Sequence, residues 1–141
     1  HRSRLQLIAS LGIDPSRWAT IVHPHASVSR YAKIGKNVLI MAGAVVSAGA
    51  TIEDHVVLLP QATVHHDARI GSGTLIAASA TIAGFAQVGK SAFIGSGSRV
   101  GSYLKVGDEA LLGMGAVLTR DLPTGEIWAG VPARSTSARQ T

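Results

Sequence analysis

The chain has 141 residues, the size of one ordinary domain, with a net charge of +5 and no cysteine, which excludes a disulfide framework. Apolar residues make up 46% of it but aromatic ones only 4%, so the core is one of Val, Ile, Leu and Ala, suited to a narrow, regular interior. No dense basic run and too few stacking rings argue against a nucleic-acid platform, and no apolar run reaches the length of a membrane span.

The positive balance suits a small anionic ligand such as a phosphorylated cofactor. The lack of cysteine and of a secretory signal pattern gives the expectation of a cytoplasmic protein. Arg2 to Leu11 reads as a short helix, with Leu5, Leu7, Ile8 and Leu11 on its apolar side and Gly12 ending it. Asp14-Pro15 then marks a turn or a new helix start.

From Val22 onward an internal repeat governs the sequence. Every sixth residue, from Val22, Val28 and Ile34 to Val106, Leu112 and Leu118, is Val, Ile or Leu without exception. Four residues after each stands a residue that is mostly small: Ala26, Ala32, Ala44, Ala50, Ala62, Ala68, Ala80, Ala86. Glycine often follows the aliphatic directly, as at Gly35, Gly71, Gly89, Gly95, Gly101, Gly107 and Gly113. A period of six is neither helical nor a simple alternation. It describes a chain that runs straight briefly, turns and repeats, with the aliphatic pointing inward and the small residue filling the tight corner. Three such sides close a triangle of 18 residues, and the run accommodates five to six stacked coils. The expected fold is therefore all-β: a parallel β-helix over residues 21–120, preceded by the short helix and linker of residues 1–20 and followed by a closing loop and tail over residues 121–141.

Stacking at this interval converts the sequence into columns. One reads Arg30, Ala48, His66, Gly84, Ser102, Arg120; the next reads Tyr31, Gly49, Asp67, Phe85, Tyr103, Asp121. His66 then lies directly below Gly84, with Asp67 beside it on the same corner. Acyl transfer needs a base in the titration range of histidine, a carboxylate to orient it, and a donor for the oxyanion. His66, Asp67 and the backbone N–H of Gly84 meet these needs. His65 directly follows the inward Val64 and should face the adjoining side, so His66 is the preferred base. His55 is expected on the surface, and His23 and His25, flanking Pro24, in a structural role.

Past the repeat, Asp121 to Gly125 reads as a loop, Glu126 to Ala129 as a short strand, and Arg134 to Thr141 as a frayed polar tail.

Three segments resemble the hexapeptide-repeat acyltransferases, in the sugar acetyltransferase branch typified by bacillosamine N-acetyltransferases and sialic acid O-acetyltransferases. They are Ile21 to Ser29 at the first turn of the helix, Val64-His65-His66-Asp67-Ala68-Arg69-Ile70-Gly71, and the closing signature. That signature runs from Gly113-Met114-Gly115-Ala116-Val117 through Arg120-Asp121-Leu122-Pro123 to Gly130-Val131-Pro132-Ala133-Arg134. The resemblance, covering about Leu5 to Arg134, implies a left-handed helix and a homotrimer with active sites in the grooves between subunits. It implies acetyl-CoA as co-substrate, a sugar acceptor, most naturally a nucleotide-linked amino sugar, and no metal. On it, His66 is the general base, Asp67 holds it, and the Gly84 amide meets the acyl carbonyl. Ser96 and Met114 match backbone contacts to the pantetheine, and Arg134 a CoA phosphate. Two departures stand out. Relatives carry an N-terminal nucleotide-sugar-binding domain, of which residues 1–20 read as the trailing helix and linker. Many also carry a second His where this chain has Leu75.

Two other readings are weighed. A γ-class carbonic anhydrase needs three His converging on zinc, including a pair five residues apart, and no such pair occurs: Gln61 and Gly71 flank His66 at that spacing. A non-catalytic β-helix used for binding or assembly stays open on the sequence.

Overall fold

Each aliphatic at the six-residue interval ends a two-residue strand and turns its side chain into a shared interior, where Ile40, Ile52, Leu58, Ile70, Ile76, Ile82, Ile94, Leu112 and Leu118 are fully buried. Burial of one such side chain contributes roughly 1.5–3 kcal/mol. The small residues four positions on, Ala44 through Ala116, fill the corners and are equally buried. The structure, a computed structural model, describes residues 3–136.

The strands form three parallel sheets. The first joins Ile21–Val22, Leu39–Ile40, Val57–Leu58, Leu75–Ile76, Phe93–Ile94, Leu111–Leu112 and Ile127–Ala129. The second joins Ser27–Val28, Val45–Val46, Thr63–Val64, Thr81–Ile82, Arg99–Val100 and Val117–Leu118; the third joins Lys33–Ile34, Thr51–Ile52, Arg69–Ile70, Gln87–Val88 and Lys105–Val106. Register follows the expected interval: Leu75 pairs with Val57 and Phe93, and Thr81 with Thr63 and Arg99. The result is a left-handed β-helix of about six turns.

The three outer faces differ. The residue preceding each inward aliphatic points away from the core. On the first sheet this gives Ile21, Leu39, Val57, Leu75, Phe93, Leu111 and Ile127, an unbroken apolar ladder. On the third it gives Lys33, Thr51, Arg69, Gln87 and Lys105, a polar and cationic one. Among the described residues Thr74 and Ser98 are polar side chains wholly inside the core, and the Ser98 hydroxyl donates to the Gly95 carbonyl at 2.7 Å. Thr74 is fully buried, and its hydroxyl donates to the Gly89 carbonyl at 2.7 Å while accepting from the Ala92 N–H at 3.0 Å.

The N-terminal helix α1 spans Arg4–Ser10, within the expected Arg2 to Leu11; Arg2 lies outside the described residues. It is anchored on a corner of the solenoid: Arg4 donates to the His55 carbonyl at 2.6 Å. Leu5 rests on Gly73, where a Cβ would stand 2.5 Å from its Cγ. A 3₁₀ turn, Pro15–Arg17, follows, capped by the Asp14 carboxylate accepting from the Ser16 N–H at 2.8 Å.

At the other end the Ile127–Ala129 strand extends the first sheet, and Trp128 closes the core. The polar segment from Arg134, expected to fray, forms a strand at Arg134–Ser135 antiparallel to Trp128–Ala129. The cause is the turn over 130–133, which buries Ala133, ties its N–H to the Val117 carbonyl at 2.8 Å, and returns the chain to an open sheet edge. Residues 137–141 lie outside the described part. No helix among the described residues is long and apolar enough to cross a membrane.

Candidate functional site

The corner between the second and third sheets carries the His-Asp pair. After Thr63–Val64 the chain turns, and Asp67 takes up a left-handed backbone conformation with φ 58°, which aspartate tolerates better than most residues. Its N–H donates to the Ala48 carbonyl one coil below, at 3.2 Å. This turn sets the Asp67 carboxylate beside the imidazole of its neighbour, with Oδ2 3.1 Å from His66 Nδ1. A carboxylate only accepts, so Nδ1 is the donor, and in the neutral ring this tautomer leaves Nε2 as the acceptor.

Two glycines make room for the pair. A Cβ at Gly49, one coil below Asp67, would collide with the Asp67 carboxylate. A Cβ at Gly84, one coil above His66, would stand 2.8 Å from both Nε2 and Cε1. Position 84 thus admits the imidazole against the backbone only because it lacks a side chain. The Gly84 carbonyl accepts from the Tyr103 N–H at 3.3 Å, and the Phe85 N–H donates to the His66 carbonyl at 3.1 Å. Among the described residues no backbone carbonyl accepts from the N–H of Gly84 itself, which leaves a donor beside the basic nitrogen. The side chains of His66 and Asp67 are 58% and 48% exposed, so one chain leaves the site open on its outer side.

Phe85 and Tyr103 stand above the pair. The Phe85 ring meets the His66 ring edge-on, with centroids 5.2 Å apart and planes at 85°. It stacks on Tyr103 at 5.0 Å and 2°. Both residues have left-handed backbones, with φ 61° and 63°, a conformation that costs a bulky residue about 1–3 kcal/mol. The sequence places both in the column of Asp67 but carries no sign of this arrangement.

The other sequence-derived positions lie elsewhere. Ser96 and Met114 sit one above the other at the corner between the first and second sheets, joined by the Gly115 N–H donating to the Ser96 carbonyl at 2.9 Å; Met114 is 82% exposed. The whole second sheet separates them from His66, so within one chain they do not share its site. Arg134 lies in the closing antiparallel strand, its guanidinium donating to the Ala133 carbonyl at 2.7 Å. His65 is exposed. His55 bonds Asn37 at 2.9 Å and meets Trp18 edge-on, while His23 and His25 pack on each other at 5.4 Å.

Two cavities of about 350 Å³ flank the helix. One runs along the third sheet, between Arg69, Gln87 and Lys105 on one side and Lys90 and Asp108 on the other. At its lower end Glu53 receives Arg69 Nη2 at 2.6 Å, Nε at 3.1 Å, and the Ser72 N–H and hydroxyl at 3.1 and 3.0 Å. Burial raises the Glu53 pKa, but these hydrogen bonds outweigh it and hold the carboxyl below its ordinary range. The second cavity is apolar and lies on the first sheet between Arg4, Gly73, Leu75, Phe93 and Leu111. Among the described residues no group of three or more His, Asp or Glu is placed to hold a metal ion.

Residues 17–118 match the family model described as the GMPPB C-terminal domain. No curated protein matches the chain. Among solved structures it is similar to the acetyltransferase domain of PglB from Neisseria gonorrhoeae FA1090. That match has 34% identity and a TM-score of 0.86 over 95% of this chain and 64% of that one; the PglB domain is also known in complex with acetyl coenzyme A. It is similar to PerB from Caulobacter crescentus, solved in complex with CoA and GDP-perosamine, at 32% identity and a TM-score of 0.88 over 96% and 64%. With AntD, an N-acyltransferase from Bacillus cereus in complex with dTDP and 3-hydroxybutyryl-CoA, it shares the fold, at 16% identity and a TM-score of 0.77 over 96% and 88%. The chain spans 64% of the length of the PglB and PerB chains.

Proposed function

The chain belongs to the hexapeptide-repeat family that includes the GMPPB C-terminal domain, and from that premise we propose that it transfers an acyl group, in the first place acetyl, from acyl-CoA to an amine or hydroxyl of a nucleotide-linked sugar. The observation that carries this reading is the His66 imidazole, held at Nδ1 by Asp67 and laid with Nε2 against the backbone of Gly84. The similarity to PglB and PerB supports the donor and the acceptor class, since those structures hold acetyl coenzyme A, or CoA and GDP-perosamine.

The acceptor nitrogen or oxygen attacks the thioester carbonyl, and Nε2 of His66 takes its proton. Asp67 faces the imidazolium so formed and stabilises it. The carbonyl oxygen becomes an oxyanion and receives the free N–H of Gly84. The intermediate then collapses, breaking the C–S bond, and the departing CoA thiolate takes the proton back from His66. The reaction needs no metal.

The working unit on this reading is a homotrimer. The apolar ladder of the first sheet supplies the contact face, and exclusion of water from a half-exposed base needs a second surface. A neighbouring chain would bring its Ser96 and Met114 corner towards His66, for the pantetheine, with its Arg134 near the CoA phosphates. Residues 21–120 form the catalytic helix, 121–141 its closure, and residues 1–20 the helix and linker that follow a nucleotide-sugar-binding domain. The absence of cysteine supports a cytoplasmic setting.

The test is thiol release from acetyl-CoA with a panel of nucleotide amino sugars and free sugars, for the native chain and His66→Ala. Release that depends on both acceptor and His66 supports the transferase and identifies the acceptor class. A chain that binds no CoA is a structural β-helix instead.

A further inference from the structure

The geometry points to Phe85, backed by Tyr103, as a positioning residue that fixes the His66 imidazole against Gly84; the inference rests on the acyl-transfer reading of that corner. Its first support is the backbone. Among the described residues, nine other than glycine have left-handed φ: Asn37, His55, Gln61, Asp67, Ser79, Phe85, Ser91, Tyr103 and Glu109. Phe and Tyr occur there only at the two positions directly above Asp67. In the same column Gly49 and Asp67 show the less strained choices.

The second support is exposure. Phe85 is 42% and Tyr103 72% exposed, so core packing does not explain large rings in a strained conformation. What the rings do touch is each other and the base. Their 5.0 Å, 2° stack matches the separation of neighbouring strands, about 4.8 Å. The two rings therefore lie flat across the column, one coil apart, and the free side of Phe85 meets His66 at 5.2 Å and 85°.

The third support is mechanical. Among the described residues the imidazole has one hydrogen bond, at Nδ1, and one bond lets a half-exposed ring swing. Asp67 at one edge, the bare backbone of Gly84 alongside and the Phe85 ring beyond leave a single orientation, the one that presents Nε2. Tyr103 stiffens Phe85 by stacking.

Phe85→Asn is the deciding variant, because asparagine suits the left-handed backbone and so does not threaten folding. Its melting temperature should equal or exceed that of the native chain. Its kcat should fall about 10- to 100-fold, the scale of a reacting group displaced by an ångström, with both KM values within about twofold. Phe85→Tyr keeps the ring and should keep kcat within about threefold, while Tyr103→Asn should fall between the two. The His66 ring protons, observed by NMR, should be shifted by the Phe85 ring current in the native chain and relax towards free-histidine positions in Phe85→Asn. An unchanged kcat with an unchanged His66 resonance overturns the inference. So does a raised acceptor KM with kcat intact, which makes the ring a binding platform. If the native chain transfers nothing, the acyl-transfer reading fails, and the resonance alone decides whether Phe85 holds the ring.

Discussion

His66 and Gly84, one coil apart, are so close that the imidazole occupies the space a side chain at position 84 would need: an added Cβ would lie 2.8 Å from Nε2. The atom that must yield belongs to a flexible surface side chain, not to the backbone. Gly84→Ala should therefore displace the base without unfolding the helix. We expect at least a ~100-fold loss of kcat and a melting temperature within a few degrees of the native value, measured by initial rates and thermal denaturation.

Asp67 acts through the imidazole, and an amide in its place removes the charge while suiting the left-handed turn. Asp67→Asn also loses the preference for a proton on Nδ1, because an amide both donates and accepts. The activity should drop about 10²- to 10⁴-fold, approaching that of His66→Ala. Steady-state kinetics should place the loss in kcat, with acyl-CoA binding by calorimetry unchanged.

Glu53 provides a pH signature distant from the chemistry. Its carboxyl is held below the ordinary range by Arg69 and Ser72, which outweigh burial. A lowered folded-state pKa contributes stability above the ordinary glutamate value, and that contribution is lost as pH falls through the lowered value. Glu53→Gln should be less stable at neutral pH by about 1 kcal/mol or less, since Arg69 is 64% exposed. The gap between the two melting curves should close in acid.

The ladder on the first sheet predicts assembly. A carboxylate placed in the middle of an apolar contact between copies is expensive to desolvate. On the proposed homotrimer, Leu111→Asp should lower the mass to that of a monomer in multi-angle light scattering, with the solenoid's circular dichroism retained and activity lost; a native chain that is already monomeric overturns the trimer. Lys33→Asp, on the outward cationic face, should leave the mass unchanged.

The fold was legible because one rule governs so many positions. An aliphatic at each sixth residue and a small residue four later fix the strands, the corners and the coil length, and the His66–Asp67–Gly84 cluster follows from the stacking interval alone. Where the period stops, so does the legibility. Arg134–Ser135 pairs with Trp128–Ala129 through a turn that no local pattern marks, so its polar composition suggested fraying. Phe85 and Tyr103 fall in the right column, yet their residue types do not reveal a left-handed backbone or a face-to-face stack. Ser96 and Met114, 18 residues apart, fall in one column by the same interval, but only the three-sheet geometry shows that they lie a full sheet away from His66.

The reversed strand at Arg134–Ser135 has a bearing on how the protein meets itself end to end. A solenoid of parallel strands has at each end a ring of open edges onto which another solenoid can dock in register, the geometry of fibre growth. Here one end is closed: the returning chain covers the first sheet antiparallel, and Gly130 and Ala133 bond Val117 on the second. At the opposite rim of the described helix Ile21 and Val22 are exposed and pair with Leu39 and Ile40 on one side. The returning strand replaces the parallel edge of the first sheet with an antiparallel one, so a further parallel coil cannot continue that ladder in register.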